Sequence, residues 1–296
     1  MNSKLPEYQP NNQGFSLVEL LMAMAISLVV MAGVYKVYVT QQDSYLLQEQ
    51  VAEMQQNSRI AKYVLMRDIR MAGYNPRGKH NAGDFVTSFV AKLPNDGLPD
   101  DDPDRTSTDS KSIAFTLDYN GNGVLDKSLD EQIAYRVAGE SLQRFDVGNN
   151  SWLTVVEHIE ALAFAYAFDN NGDGDIDTTS SPDKHIIWAI DADDSDNDER
   201  LKVNLDGNND EAIDASDDTN GDGLIDDDDA GTSLVTPVDL DKIVAVKIWL
   251  LSKTGQSDRR YTRSEIYVVG NRIMQKNDQN RRNLVTFTVR CRNMAL

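Results

Sequence analysis

The sequence predicts an α+β fold in which a long N-terminal α-helix packs on an antiparallel β-sheet head that carries an inserted Asp-rich segment. Three observations predict it. An apolar run near the N-terminus continues into an amphipathic stretch without a proline, short strand-like segments follow, and most acidic side chains fall in one late stretch. No helical pattern separates most of the successive strands, which favours antiparallel over parallel pairing.

The composition limits the classes of function. Hydrophobic residues make up 40% of the 296-residue chain, which is enough for a packed core. The formal net charge of −19 argues against nucleic-acid binding, because that function needs a basic surface. Residues 191–229 hold 15 Asp and 2 Glu against Arg200 and Lys202, a net charge of −15 that leaves only −4 for the rest of the chain. The acidity therefore belongs to one segment.

The first element is the apolar run Phe15–Tyr35, "FSLVELLMAMAISLVVMAGVY". Its 21 residues contain one charge, Glu19, and as a helix they would span the roughly 30 Å of a bilayer core. The candidate cleavage point, Gly14–Phe15, lies before this run, so cleavage would keep the helix in the mature protein. A plain signal anchor that tolerates Glu19 is the alternative. A carboxylate inside a spanning segment is by default functional, and the natural partner of Glu19 is a new amino terminus, on a neighbouring subunit rather than on its own chain.

The stretch "GFSLVELLMA" resembles the processing site of type IV prepilins, and "RDIRMAGY" (Arg67–Tyr74) at the end of residues 41–74 is similar to PilW-type minor pilins. "DKIVAVKIWLLSKTG" and "RRNLVTFTVRCRN" resemble the same family. The resemblance implies a pilin-like fold, cleavage after Gly14 by the prepilin peptidase, N-methylation of Phe15, and a role for Glu19 in recruiting and registering the subunit during assembly. It also implies minor and major pilins as partners, the inner membrane before assembly, and then the pilus on the surface of a Gram-negative-type bacterium.

The predicted organisation is a leader over residues 1–14, a helix over 15–73 with its spanning part at 15–35, and a β-rich head over 74–296 with the Asp-rich insertion at 191–230. Beyond the membrane, one helix face carries Leu47, Val51, Met54, Ser58, Ala61 and Leu65. This spacing predicts packing on the chain's own sheet, with a partner coiled coil as the alternative. Gly73 and Asn75–Pro76 are expected to end the helix.

Seven segments of the head read as strands, and residues 94–111 read as a Pro/Asp-rich loop. The strand candidates are Ile113–Leu117, Gln132–Val137, Ser141–Phe145, Ile159–Phe168, Ile243–Leu251, Glu265–Val269 and Leu284–Arg290. The lone cysteine, Cys291, sits in an alternating pattern near the C-terminus and is expected to be a buried strand residue.

Within the acidic segment a twelve-residue pattern repeats from Asp194, Asp206 and Asp218. Oxygen side chains at positions 1, 3 and 5, a carbonyl at 7, carboxylates at 9 and 12, glycine at 6 and an apolar residue at 8 form the pattern that wraps Ca²⁺. The last unit meets every requirement. The middle unit has Glu211 at position 6, and the first lacks acids at positions 9 and 12. Two similar loops begin at Asp169, where Asp183 is a candidate to close the loop because position 12 is Ser180, and at Asp118, where Asp130 comes one residue late.

The predicted Ca²⁺ ligands are Asp218, Asn220, Asp222, Leu224 (carbonyl), Asp226 and Asp229; Asp206, Asn208, Asp210, Asp214 and Asp217; Asp169, Asn171, Asp173, Asp175 (carbonyl) and Asp177; and Asp118, Asn120, Asn122, Val124 (carbonyl) and Asp126.

The tandem units leave no room for flanking helices, so they are not EF-hands, and they resemble the calcium-wrapped repeats of thrombospondin type 3 modules. The alternative is a solvated acidic linker, but a linker would not repeat Asn, Gly and an apolar residue at fixed offsets. Calcium is therefore the predicted cofactor.

His80, His158 and His185 form no zinc-binding spacing and lie near no nucleophile motif. The sequence also has no Gly-rich phosphate loop, so no enzyme is expected. The expected function is that of a minor pilin with a calcium-stabilised head that primes assembly or mediates adhesion. The alternatives are a type II secretion pseudopilin, and a calcium-dependent adhesin that uses a pilin-type anchor.

Overall fold

The computed structural model describes residues 14–76, 111–123, 131–180, 184–191, 200–258 and 260–294. The leader before Gly14, nearly all of the 94–111 loop, and Val124, Asp126, Asp130 and Asp183 lie outside the described residues. The chain divides into two compact units, Met1–Glu49 and Gln50–Leu296. The second unit therefore includes the C-terminal part of the helix.

One helix and twelve strands are defined in the described part of the chain. The helix α1 spans Leu17–Ile69. The strands are β1 (Ser112–Thr116), β2 (Gln132–Ala138), β3 (Ser141–Asp146), β4 (Ser151–Glu157), β5 (Ile159–Phe168), β6 (Ala189–Ile190), β7 (Arg200–Asn204), β8 (Ser233–Asp239), β9 (Ile243–Lys253), β10 (Arg263–Val269), β11 (Arg272–Asp278) and β12 (Arg282–Arg290), with a 3₁₀ turn at Leu240–Lys242.

In the first unit, α1 is an exposed apolar helix. Its side chains from Phe15 to Val37 are exposed, and one window of the helix is long and apolar enough to cross a membrane. Two hydroxyl groups in this unit bond to the backbone of the helix itself: Ser27 donates to the Ala23 carbonyl at 2.7 Å, and Thr40 donates to the Lys36 carbonyl at 2.9 Å. Such internal bonds remove the need for water along the span.

In the second unit, the remainder of α1 packs on the antiparallel sheets. Met54, Ser58, Ala61 and Leu65 are buried, as the helical spacing predicts, and the buried face extends to Ile69. The Ser58 hydroxyl meets that of Ser252 at 2.7 Å. After Ile69 the helix ends in turns that lead to Gly73, whose φ of +74° favours glycine.

All strand pairs are antiparallel. Strands β1–β4 form a four-stranded meander, β10 and β11 form a hairpin, and the largest sheet has the order β12-β9-β5-β6-β7-β8. The seven strand predictions are confirmed to within a few residues. The sequence did not predict β4, β6, β7, β8 or β11. Strand β8 contains Pro237, which suits its position at the sheet edge because proline cannot donate to a ladder.

Both faces of the central strand β5 are buried, because alternate residues along it face two different apolar clusters. Leu162, Phe164, Tyr166 and Phe168 belong to the core beside α1, whereas the four alanines between Ala161 and Ala167 face a second apolar cluster. Alanine is small enough to let covering segments approach the sheet closely. The Asp-rich loops and the β10–β11 hairpin contribute to that second cluster.

One part of the predicted Asp-rich insertion is wrong. Residues 200–204, the second half of the unit that begins at Asp194, form β7 and pair with β6 and β8. Leu201 and Val203 of this strand are buried. The two-residue alternation of buried side chains that is typical of a strand therefore replaces the twelve-residue loop pattern there. The two following units, 206–229, connect β7 directly to β8.

Candidate metal centre and N-terminal motif

Four acidic loops are described by their first residues: loop 118, loop 169, loop 206 (206–217) and loop 218 (218–229). Loop 118 follows β1 and loop 169 follows β5, while loops 206 and 218 lie in tandem between β7 and β8. Loop 118 is described only as far as Gly123.

The carboxylate at position 1 organises each loop in the same way. Its Oδ2 accepts the backbone N–H of position 6, at 2.9 Å in loop 118, 2.8 Å in loop 169, 3.1 Å in loop 206 and 2.9 Å in loop 218. The residues involved are Asp118 with Gly123, Asp169 with Gly174, Asp206 with Glu211, and Asp218 with Gly223. The twelve-residue register is therefore a structural repeat as well as a sequence repeat.

Positions 3 and 5 extend this arrangement by bonding two residues ahead. The Asn at position 3 accepts the N–H of position 5 at 2.8–2.9 Å in all four loops. The Asp at position 5 accepts the N–H of position 7 at 2.8–2.9 Å in loops 169, 206 and 218. These are Asx turns, the local bonds that Asn and Asp favour in loops.

In the tandem loops, the carboxylate at position 12 closes the ring. Asp229 accepts N–H groups from Thr219 at 2.7 Å, Asn220 at 3.1 Å and Asp226 at 3.1 Å. Asp217 accepts the equivalent three, from Gly207 at 3.0 Å, Asn208 at 3.3 Å and Asp214 at 3.0 Å. Each side chain joins the two ends of its own loop.

The other two loops close differently. In loop 169, Asp177 at position 9 accepts the N–H of Asn170 at 3.0 Å and so does what position 12 does elsewhere. In loop 118, fully buried Glu131 accepts the N–H of Asn120 at 3.3 Å. Glu131 was not predicted because it lies two residues beyond the twelve-residue frame, directly before β2.

Positions 4 and 6 share a left-handed backbone in every loop. At position 6, φ is +78° at Gly123, +87° at Gly174 and +93° at Gly223, and Glu211 takes the same conformation at +75°. Position 4 is a glycine in three loops and Asn209, at +58°, in loop 206. A non-glycine residue in this region costs about 1–2 kcal/mol, so loop 206 adopts its frame against local preference.

In loops 169, 206 and 218, the apolar residue at position 8 inserts the loop into one apolar cluster on the sheet. Ile176, Ile213 and Ile225 all contact the cluster that contains the β5 alanines, and Ile225 is fully buried. Loop 218 also forms a short ladder with the β10–β11 hairpin, in which Ile225 N–H donates to the Asn271 carbonyl at 2.8 Å and Ile273 N–H to the Gly223 carbonyl at 2.9 Å.

The carboxyl groups of the tandem loops differ in the direction of their pKa shifts. Desolvation raises the pKa of Asp217 and, with repulsion from Asp222, that of Asp226. A hydrogen bond from the Ser216 N–H lowers the pKa of Asp214. At Asp229, burial opposes ionisation, but the three N–H donors outweigh it and lower the pKa.

Two basic residues, Lys247 and His185, lie beside loop 206. Lys247 sits 5.3 Å from the ring centres of Trp188 and Trp249. Desolvation lowers its pKa, and the charges of Asp206 and Glu211 act in the opposite direction. His185 Nδ1 lies 3.9 Å from Glu211 Oε2. Loop 206 thus has the Lys247 ammonium group near its carboxylates within the chain itself.

The donor set of the loops fits calcium by chemistry. It consists of carboxylate and amide oxygens, which this hard cation prefers. A carboxylate oxygen that accepts one N–H keeps a further lone pair. Among the residues that the structure describes, there is no group of three or more His, Cys, Asp or Glu side chains arranged to bind a metal ion. The loop carboxylates instead accept backbone N–H groups. Calcium therefore stays a prediction.

At the N-terminus, Ser16 and Glu19 form a reciprocal capping pair. The Ser16 hydroxyl accepts the N–H of Glu19 at 3.2 Å, and Glu19 Oε2 accepts the N–H of Ser16 at 3.1 Å. This is a capping box, which satisfies two N–H groups that a helix start leaves without partners. The Gly14–Phe15 bond therefore lies just outside the helix.

A buried acidic residue of the "RDIRMAGY" stretch was also missed. Asp68, 7% exposed, accepts the Tyr135 hydroxyl at 2.5 Å and Arg67 Nε at 2.7 Å, and Arg144 Nε lies 3.5 Å away. Burial, followed by the Asp68 charge, raises the pKa of Tyr135. A single sequence does not indicate that Asp68 is buried, because its partners Tyr135 and Arg144 lie on β2 and β3, far along the chain.

Comparison with known proteins agrees with the N-terminal motif. Residues 9–35 match the model of the prokaryotic N-terminal methylation motif. No curated protein matches the chain. Among solved structures, the chain is similar to a type IV-like pilin from Thermus thermophilus, with 12% identity, a TM-score of 0.35, and coverage of 84% of this chain and 98% of the other.

The methylation motif and the membrane-length helix that it overlaps characterise the N-terminal part of the chain. The chain carries a prepilin-type N-terminus, and this motif together with the apolar helix indicates a membrane-anchored protein.

Proposed function

We propose that this chain is a minor pilin of the PilW type, a subunit of a type IV pilus in a Gram-negative bacterium. The methylation motif at residues 9–35 carries the proposal. The prepilin peptidase cuts after Gly14, outside the capped helix, and methylates Phe15. The helix then holds the subunit in the inner membrane until it joins other pilins, where it primes assembly or presents its head for adhesion.

Glu19 is the assembly residue in this proposal. Before cleavage its Oε2 is shared by the N–H and the hydroxyl of Ser16. Cleavage creates an ammonium group on Phe15, and a carboxylate in a membrane is favoured only when paired. Pairing between Glu19 and the amino terminus of a neighbouring subunit would set the axial register of one subunit against the next.

The head of this pilin is stabilised by calcium, with loop 218 as the principal site. Its position 6 is glycine, and all of its side-chain ligand positions carry oxygen donors. Loop 206 is the weaker site because Glu211 takes a left-handed conformation and because Lys247 already supplies a nearby positive charge. With one cysteine, Cys291, the chain has no internal disulfide, and calcium would supply the cross-link that an extracellular head otherwise lacks.

Replacement of Glu19 tests the assembly role. Glu19→Ala should be processed normally but should fail to enter pili, whereas Ser16→Ala, which removes the capping hydroxyl and keeps the carboxylate, should still assemble. The measurement is immunoblotting of membrane and sheared-pilus fractions, together with mass spectrometry of the N-terminus. Normal incorporation of the Glu19→Ala protein into pili would refute the role of Glu19.

A further inference from the structure

Four Asn-Gly pairs lie in the acidic loops, two of them in loop 118, and the pairs in loops 169 and 218 carry a reactivity that the chain lets us compare with a matched control. Asn171–Gly172 and Asn220–Gly221 occupy positions 3 and 4 of loops 169 and 218, and both asparagines are exposed. In a flexible chain, the backbone nitrogen after an asparagine attacks the side-chain amide carbon. This attack is fastest before glycine, which has no side chain to hinder it.

The covalent steps balance with water as the co-reactant. The glycine nitrogen bonds to Cγ of asparagine, the Cγ–Nδ2 bond breaks, and ammonia leaves with the proton lost by the glycine nitrogen. A cyclic succinimide remains. Water then opens it at either carbonyl and gives aspartate or isoaspartate. Isoaspartate inserts one extra methylene into the backbone between positions 3 and 4, so every later donor of the loop is displaced.

The folded loops hold each group that this reaction needs. In loop 169, the Gly172 nitrogen donates to Asp169 Oδ1 at 2.7 Å. Asn171 Oδ1 accepts the Asp173 N–H at 2.8 Å, and Asn171 Nδ2 donates to Asp173 Oδ2 at 3.0 Å. The attacking glycine nitrogen and the oxygen and nitrogen of the asparagine amide are therefore all hydrogen-bonded to neighbouring loop atoms.

Loop 218 repeats these contacts. The Gly221 nitrogen donates to Asp218 Oδ1 at 2.6 Å, Asn220 Oδ1 accepts the Asp222 N–H at 2.9 Å, and Asn220 Nδ2 lies 3.4 Å from Asp222 Oδ2. Attack requires the asparagine side chain to turn and the glycine nitrogen to lose its proton. Both changes break bonds that only the closed loop makes.

We infer that Asn171 and Asn220 are latent deamidation sites that the closed loops protect, so that loop opening converts them irreversibly to aspartate or isoaspartate. The hydrogen bonds of the chain itself provide the protection, so the inference does not depend on calcium. Each conversion would record that its loop has opened.

The chain contains a matched control in loop 206. Asn208 also occupies position 3, and its Oδ1 accepts the Asp210 N–H at 2.9 Å, but Asn209 rather than glycine follows it. The full chain in detergent, folded and in urea, is incubated at neutral pH, and deamidation at each site is followed by peptide mapping and by isoaspartyl methyltransferase labelling.

In urea, Asn171 and Asn220 should deamidate much faster than Asn208. In the folded chain both should slow by about tenfold or more, since only the opened fraction of loops reacts. Equal rates for Asn220 in folded and urea-treated protein would overturn the inference, and so would equal rates for Asn208 and Asn220 in urea.

Asp218→Asn tests the protecting contact directly, because it weakens the acceptor of the Gly221 N–H. The folded variant should deamidate faster at Asn220 and at an unchanged rate at Asn171. No change at Asn220 would show that the contact does not protect. If deamidation becomes faster at both Asn171 and Asn220, the substitution has opened the whole region. The inference is then judged by the comparison of folded and urea-treated unaltered chain.

Discussion

Loops 206 and 218 are adjacent, equally long and built on the same hydrogen bonds, yet they differ in what holds them. Loop 218 has glycine at position 6 and joins the β10–β11 hairpin through a backbone ladder. Loop 206 has Glu211 there, in a conformation that glycine prefers, and lies beside Lys247 and His185. A shared frame therefore does not imply a shared dependence on a cation. The difference predicts that calcium acts mainly through loop 218.

The largest expected effect separates the loops through their closing carboxylates. Asp229→Ala or Asp217→Ala leaves three N–H groups without their acceptor and should lower the free energy of unfolding by about 3 kcal/mol in the absence of metal. Calcium at about 100 times its Kd should stabilise the unaltered chain by about 2.7 kcal/mol. Asp229→Ala should abolish that gain, and Asp217→Ala should retain most of it.

The measurement is thermal unfolding of the full chain in detergent, with calcium and with a chelator. Magnesium at the same concentration is the control for general charge screening. A calcium response that survives Asp229→Ala but disappears in Asp217→Ala would reverse the proposed ranking of the loops. No response in the unaltered chain at millimolar calcium would return the aspartates to a purely structural role.

A smaller effect concerns position 6. Glu211→Gly should relieve left-handed strain, in part offset by the flexibility of glycine in the unfolded chain, and should stabilise the protein by up to about 1 kcal/mol. The reciprocal change, Gly223→Ala, should destabilise it by about 1–2 kcal/mol. Chemical denaturation with chelator present measures both. Destabilisation by Glu211→Gly would mean that the Glu211 side chain contributes more than its strain costs.

The smallest effect is a pH dependence. Because the pKa of Asp226 is raised above the ordinary 3.8, the folded chain retains a proton that the unfolded chain has lost. The contribution of Asp226 to metal-free stability therefore falls as the pH rises from 3.8 through the folded pKa. Calcium needs the ionised carboxylate, so binding within this window should release protons. Calorimetry in buffers of different ionisation enthalpy measures that release, and Asp226→Asn should reduce it.

Much of the fold could be predicted because its signals are local. The buried face of α1 follows from helical spacing, and β5 and β9 follow from long apolar runs. Strands β7 and β11 were missed because each mixes charged and amide side chains with its apolar residues and is defined by pairing with neighbouring strands. Strand β7 also lay inside an apparent loop repeat, where burial of Leu201 and Val203 prevailed over the acidic pattern.

By itself the sequence determined the membrane-length helix, the processing motif and the twelve-residue register of the acidic loops, because each depends on residues close together in the chain. Only the tertiary structure decided that Glu131 bonds to loop 118, that Asp68 is buried against Tyr135, and that three loop isoleucines enter one cluster above the β5 alanines. Those contacts join residues far apart in sequence. Their energies depend on burial and on partners brought by other strands, and a linear pattern carries neither.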